Sequence, residues 1–303
     1  KAEKTEKSAK TKNSKSKALK KKSGSKKNNA KQKKSDAGIV KKADNGIKPA
    51  FISGTSAGSI IAAFYASGLS PYYMEEIVSG LKPSDYLDYN IIGLFKYLLN
   101  FIIPGYESSL NGIIVGDKIE KLVYQYTGGK SLSEVEMPLA IVACDIDSGK
   151  KIMFSNQNMA GTDSDAVLVQ DALLSEAVRS SISIPVTFIP KPFQGMQMVD
   201  GGLKDIVPVL VNKWMGADYV LAINLGKESY QDNVNGIPQI ISRTLSIMTY
   251  ETSETEEKCF ANMLLHPEVP DVSLSDLKDA AQIIRAGRRV MRENIAQLKK
   301  ELL

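Results

Sequence analysis

Ala50-Phe51-Ile52-Ser53-Gly54-Thr55-Ser56-Ala57-Gly58-Ser59-Ile60 places a G-x-S-x-G between an apolar run and a helix-like pattern. Ala50–Ser53 has the character of the end of a buried strand. Ser59–Ser67 has that of a buried helix, closed by Gly68. A serine on such a strand-to-helix turn sits in a strained backbone geometry with its hydroxyl exposed, and the glycines on either side remove Cβ atoms that would clash. The first N–H groups of the following helix favour an oxyanion forming beside that hydroxyl. Ser56 is therefore a candidate nucleophile, with Gly54, Ala57 and Gly58 completing the elbow. The plain alternative is a glycine-rich turn with a surface serine, and the strand and helix flanks weigh against it.

Outward from this turn, strand-like and helix-like stretches alternate. The strands are expected at Pro49–Ser53, Leu139–Asp145, Met153–Ser155, Gln197–Val199 and Tyr219–Asn224. The helices are expected at Ser59–Ser67, Tyr72–Gly80, Gly116–Thr127, Ser164–Ser180 and Pro208–Met215, with a long one from about Ser275 to Leu302. Strands separated by helices imply a mostly parallel sheet covered on both faces. Asp147-Ser148-Gly149 has the composition of a hairpin turn. Ile91–Ile103 is unusually apolar and too short to span a bilayer, which takes ~20 residues. It suits either a core helix or dimer contact, or a lid or interfacial segment that meets lipid.

The charge is unevenly spread. Residues 1–35 hold 15 Lys, no Arg, and only Glu3 and Glu6 as acids. The net charge of +5 therefore hides a segment of +13, and residues 36–303 carry −8. With one Leu and no aromatic residue, this segment has too little apolar surface to offset the entropy of ordering it. Residues 1–37 are expected to form a Lys-rich, disordered or atypical segment, and residues 38–303 the folded domain. A plain solvated tail is the first reading and attraction to anionic lipid the second; without Arg or aromatics the segment offers no specific nucleic-acid readout. Cys144 and Cys259 both stand in apolar surroundings and are expected to be buried and reduced, as in a cytosolic compartment. No signal-peptide pattern and no metal-ligand spacing are visible, so no metal or cofactor is expected.

A serine nucleophile needs a base. The single histidine, His266, precedes a proline after a strand-like run, which suits a structural role better than a triad. Asp200 is the stronger candidate. It lies in Met198-Val199-Asp200-Gly201-Gly202, after an apolar strand and before two glycines that permit a sharp turn. An ordinary Asp-Gly turn is the alternative. An aspartate near its usual pKa of about 3.9 is a weak base, so it would have to act through a hydrogen bond in a desolvated site.

G-T-S-A-G after a strand, followed by D-G-G, resembles the patatin-like phospholipases. Phe51–Ile60 is similar to that family's nucleophile segment, and Ile141–Lys150 to its central strand and hairpin. Ala177-Val-Arg-Ser-Ser-Ile-Ser-Ile-Pro185 is similar to the segment leading to its aspartate, and Val199–Leu203 with Ile206–Val209 to the aspartate loop. The resemblance covers roughly residues 38–297. It implies a three-layer α/β/α sandwich with a mostly parallel central sheet. It also implies metal-independent hydrolysis of phospholipid or lysophospholipid esters by a Ser56–Asp200 dyad, with Ala57 contributing to the oxyanion hole and Gly201 and Gly202 forming the aspartate loop. Peripheral membrane contact through residues 91–103 or the Lys-rich tail would fit a cytoplasmic, membrane-associated protein. The family's glycine-rich oxyanion loop has no counterpart in Leu19–Ala30, which holds one glycine, Gly24. The alternative is thus a catalytically impaired lipid-binding or interaction module on the same fold.

Overall fold

A computed structural model describes residues 45–103, 105–159, 164–226, 230, 233–269 and 280–302. The chain order is β1 (Ile52–Thr55), α1 (Ala57–Ala66), α2 (Pro71–Gly80), α3 (Pro83–Tyr86), α4 (Ile91–Leu99), α5 (Asp117–Tyr126), β2 (Leu139–Asp145), β3 (Lys151–Ser155) and β4 (Ala166–Val169). It continues with α6 (Leu174–Ser181), β5 (Lys191–Phe193), β6 (Met196–Asp200), α7 (Val209–Trp214), β7 (Leu221–Ile223), α8 (Ile237–Phe260), β8 (Met263–Leu265) and α9 (Ala280–Leu302).

The helices start and stop where local chemistry dictates. Ser70 caps α2, its hydroxyl accepting from the Tyr73 N–H at 3.2 Å, and Pro71 occupies the first helical position. At the end of α1, Gly68 N–H reaches Tyr65 O at 2.9 Å and Leu69 N–H reaches Phe64 O at 3.0 Å. This paired closure requires a positive φ, and Gly68 supplies it at 97°.

β2 is buried along its whole length and organises the sheet. On one edge it pairs antiparallel with β3, which pairs parallel with β4. On the other edge it pairs parallel with β1 and antiparallel with β6, which continues to β5. β7 and β8 form a separate parallel pair. The sheet is therefore mixed. The β2–β3 antiparallel pair follows from the expected tight turn, where Gly149 N–H bonds Asp145 O at 2.8 Å.

Strand alternation sends successive β2 side chains to opposite faces. Leu139, Ile141 and Ala143 pack with Phe64, Met74 and Val178 of α1, α2 and α6. Ala140 and Val142 pack with Val211 and Trp214 of α7. Helices thus cover both faces, giving an α/β/α sandwich. Against Met263 and Leu265 of β8 lie Val290, Ile295 and Leu298 of α9.

Three expectations need correction. Ser164–Ser180 is two elements, since β-branched Val167 and Val169 pair with β3 before α6 begins at Leu174. The 24-residue helix α8 has no counterpart in the sequence expectations. Cys259 is exposed, because on the last turn of α8 it is Glu257 that turns inward; Cys144 is buried as expected. The part of the last long helix before Ala280 lies outside the described residues.

Candidate active site

Strand pairing brings the two candidate residues together. β1 runs parallel to β2 until Thr55 stands opposite Val142. β6 runs the other way along the same edge and ends with Asp200 opposite Ala143. The two strands thus point their C-terminal ends at each other over adjacent residues of β2. Ser56 is the next residue after β1, and Asp200 is the last of β6.

Ser56 adopts φ 51° and ψ −125°, a strained conformation for a residue with a side chain. Several bonds hold it there. Its N–H donates to Ser181 Oγ at 2.9 Å, and the Ser181 hydroxyl donates to Val142 O at 2.6 Å. Its carbonyl accepts from Ser59 N–H at 2.9 Å and from the Ser59 hydroxyl at 2.6 Å. Of the two elbow glycines only the first is sterically required. A Cβ on Gly54 would stand 2.4 Å from Gly58 O, whereas one on Gly58 would meet nothing within 4 Å. Ala57 and Gly58, at the N-terminal end of α1, are exposed.

Asp200 is 7% exposed. Its Oδ1 accepts from Gly202 N–H at 2.8 Å, and its own N–H donates to Ser183 O at 3.0 Å. A Cβ on Gly201 would stand 2.1 Å from Val142 O, so no larger residue fits the turn. Oδ2 is buried and closes no hydrogen bond of normal geometry. Burial pushes the Asp200 carboxyl up to about 6; the nearby Ser56 hydroxyl and the Gly202 N–H pull against that rise.

The aspartate loop is braced from behind. The Thr55 hydroxyl donates to Asp205 O at 2.8 Å, and Asp205 N–H to Gly201 O at 2.9 Å. Lys151 Nζ pairs with Asp205 at 3.0 Å and lies 5.7 Å from the centroid of the Trp214 ring. Burial raises the Asp205 carboxyl to about 6, with Lys151 opposing the rise.

Two positioning contacts escaped the sequence reading. Ser181 holds Ser56 and Ser183 holds Asp200, so the C-terminal end of α6 grips both residues. The only signal was a run of small hydroxyls, Ser180, Ser181 and Ser183, all fully buried. His266 is exposed after β8 and lines a cavity of about 120 Å³ with Asn224, Tyr250 and Glu257; neither Ser56 nor Asp200 borders it. Among the described residues no group of three or more His, Cys, Asp or Glu could hold a metal ion, and no helix is long and apolar enough to cross a membrane. The segment Leu19–Ala30, which takes the place of the family's glycine-rich loop, lies outside the described residues.

The family pattern described as patatin-like phospholipase matches residues 36–212, a span holding Ser56, Asp200 and the clamp between them. The chain belongs to the patatin-like phospholipase family. Its similarity to individual patatin-like relatives is more distant. It is 24% identical over 214 residues to uncharacterized NTE family proteins of Mycobacterium bovis and Mycobacterium tuberculosis, covering 71% of this chain and 51% of each relative. It is 23% identical over 216 residues to the lysophospholipase NTE1 of Scheffersomyces stipitis, covering 69% of this chain and 12% of that protein. The chain thus spans about half the length of the mycobacterial relatives. Patatin-family membership supports lipid hydrolysis at the level of the family.

Proposed function

We propose that this chain hydrolyses lipid acyl esters of the phospholipid or lysophospholipid class, with Ser56 as nucleophile and Asp200 as its base. The observation that carries the reading is the buried Asp200 carboxyl set beside the Ser56 hydroxyl, which counters its rise in pKa, with that serine held in a strained turn. Oδ2 takes the Ser56 proton as Oγ attacks the ester carbonyl. The developing oxyanion lies toward the first N–H groups of α1, Ala57 among them, where the helix dipole favours negative charge. Collapse of the tetrahedral intermediate returns the proton to the departing alcohol and leaves an acyl-serine. Water then attacks with Asp200 as base, and the carboxylic acid departs. Raising the carboxyl to about 6 brings its basicity nearer to what proton abstraction at neutral pH needs.

The substrate sits in lipid surfaces, so contact with one belongs to the same reading, through residues 91–103 or the Lys-rich tail. Hydrolysis of a p-nitrophenyl acyl ester tests the chemistry. Ser56→Ala and Asp200→Asn should each lose about 10³-fold or more in kcat, and the double variant no more than either single one. A fluorophosphonate probe should label the parent chain and not Ser56→Ala. Hydrolysis by Ser56→Ala at the parent rate sinks the proposal.

A further inference from the structure

Helix α4 has no buried side chain. Ile91 and Ile92 are each 72% exposed and Phe95 62%, and the turn that follows exposes Phe101 (76%) and Ile102 (72%). A helix that is apolar all round normally lies inside a core or a membrane. This one is fastened at its ends and left bare in between. At its start, Asn90 Oδ1 accepts from Gly93 N–H at 2.9 Å while Asn90 Nδ2 donates to Gly112 O at 3.0 Å. At its end, Asn100 Nδ2 donates to Ser108 O at 2.6 Å.

We propose that Ile91–Ile103 docks on a lipid bilayer, lying in the plane of its headgroup–acyl boundary. The proposal rests on the lipid-ester reading above and commits it to one membrane-contacting segment. Charge selects the occupant. Between Asp88 and Glu107 the sequence has one charged residue, Lys96, although residues 36–303 carry −8. The chain's acidity is thus kept off this surface, as contact with anionic headgroups requires, and Lys96 can extend its ammonium to them along an apolar stem. Tyr89 and Tyr97 are of the side-chain type that settles at a membrane–water boundary, and Phe95 and Phe101 of the type an interfacial segment buries below it. At nine residues, α4 is about 14 Å long, too short to span and suited to lie flat.

The surface is also joined to the dyad. Asn90 N–H bonds Ile113 O at 2.7 Å, and Ile114 N–H bonds Thr187 O at 2.8 Å. Arg179 then donates to Val115 O, to Ile189 O and to the hydroxyl of Ser183, whose carbonyl holds Asp200. Exposed Ile113 and Val186 carry the apolar character along this path. Docking therefore bears, through this bonded path, on the residue that holds Asp200.

Phosphatidylcholine vesicles in about 1 M salt, where the screening length is about 3 Å, remove tail-driven attraction and leave apolar insertion. The full chain should co-sediment with them. An Ile92→Glu/Phe95→Glu variant should lose about tenfold or more of that binding while keeping its melting temperature and its rate on a soluble short-chain ester. Ser56→Ala should bind like the parent, which separates this proposal from the catalytic one. Phe95→Trp should shift its fluorescence to the blue on adding vesicles. Binding by the Ile92→Glu/Phe95→Glu variant at the parent level overturns the proposal. So does a parent chain that ignores vesicles but self-associates in a way the variant abolishes, which makes a second copy the occupant.

Discussion

The junction at Ser56 and the helix α4 invert each other. At the junction polar groups are buried and nearly all are tied: Ser56 N–H to Ser181, Asp200 N–H to Ser183, Thr55 to Asp205. At α4 apolar groups are exposed and only the ends are tied, by Asn90 and Asn100. The first region spends packing freedom on fixed geometry, which the proposed two-residue proton transfer demands. The second leaves its apolar surface uncovered. Substitutions should therefore be felt strongly at the junction and weakly on the helix.

The largest effect is expected from Gly54→Ala, whose methyl would press into the Gly58 carbonyl at 2.4 Å. Chemical denaturation should show a loss of about 3 kcal/mol, the range of overpacked cores. A stable Gly54→Ala would show the junction to be softer than its bond network implies. Ser181→Ala comes next. It strands the Ser56 N–H and removes the donor to Val142 O, so kcat should fall by about tenfold and stability by about 1–2 kcal/mol. Esterase kinetics should show the acid limb near pH 6 unmoved, because Asp200 keeps its surroundings.

Asp200→Asn should act in the opposite direction on stability. The folded carboxyl titrates near 6 and the unfolded one near 3.8. Stability from this group is thus fully present below pH 3.8 and lost as pH rises through 6. The amide escapes that loss, so thermal melts at pH 8 should favour Asp200→Asn by about 1–3 kcal/mol, with the advantage gone at pH 3.5. The smallest change is expected at Gly58→Ala, where the new methyl meets open space and the helix gains a better former, stabilising by up to about 1 kcal/mol. Destabilisation there would blur the line between the two glycines of the elbow.

What the sequence revealed follows from the range of the interactions involved. Leu139–Asp145 is recovered to the residue because a short apolar run between Pro138 and the Asp147-Ser148-Gly149 turn has the length and flanks of a buried strand. Ser56 and Asp200 were legible as motifs because each sits in a turn with local chemistry. Their clamp was not, since Ser181 reaches Ser56 across 125 residues, and a run of small hydroxyls does not say which distant residue each one holds. The Ile91–Ile103 run was ambiguous for another reason: apolar composition fixes what a segment avoids and leaves open whether core or lipid covers it. In α8, hydroxyls and charges dilute the helical period, so no element was expected there. At β4, four residues of strand next to a helix are too short for their period to stand apart.

The meeting of β1 and β6 over Val142 and Ala143 has one further consequence. Side chains alternate along a strand, so a one-residue slip of β6 against β2 would turn the Asp200 carboxylate to the opposite face of the sheet. The fold could survive such a slip in outline while the two residues parted. The proposed esterase activity would thereby serve as a readout of strand registration, sensitive to a misalignment of about 3.4 Å that spectroscopic measures of secondary structure would pass over.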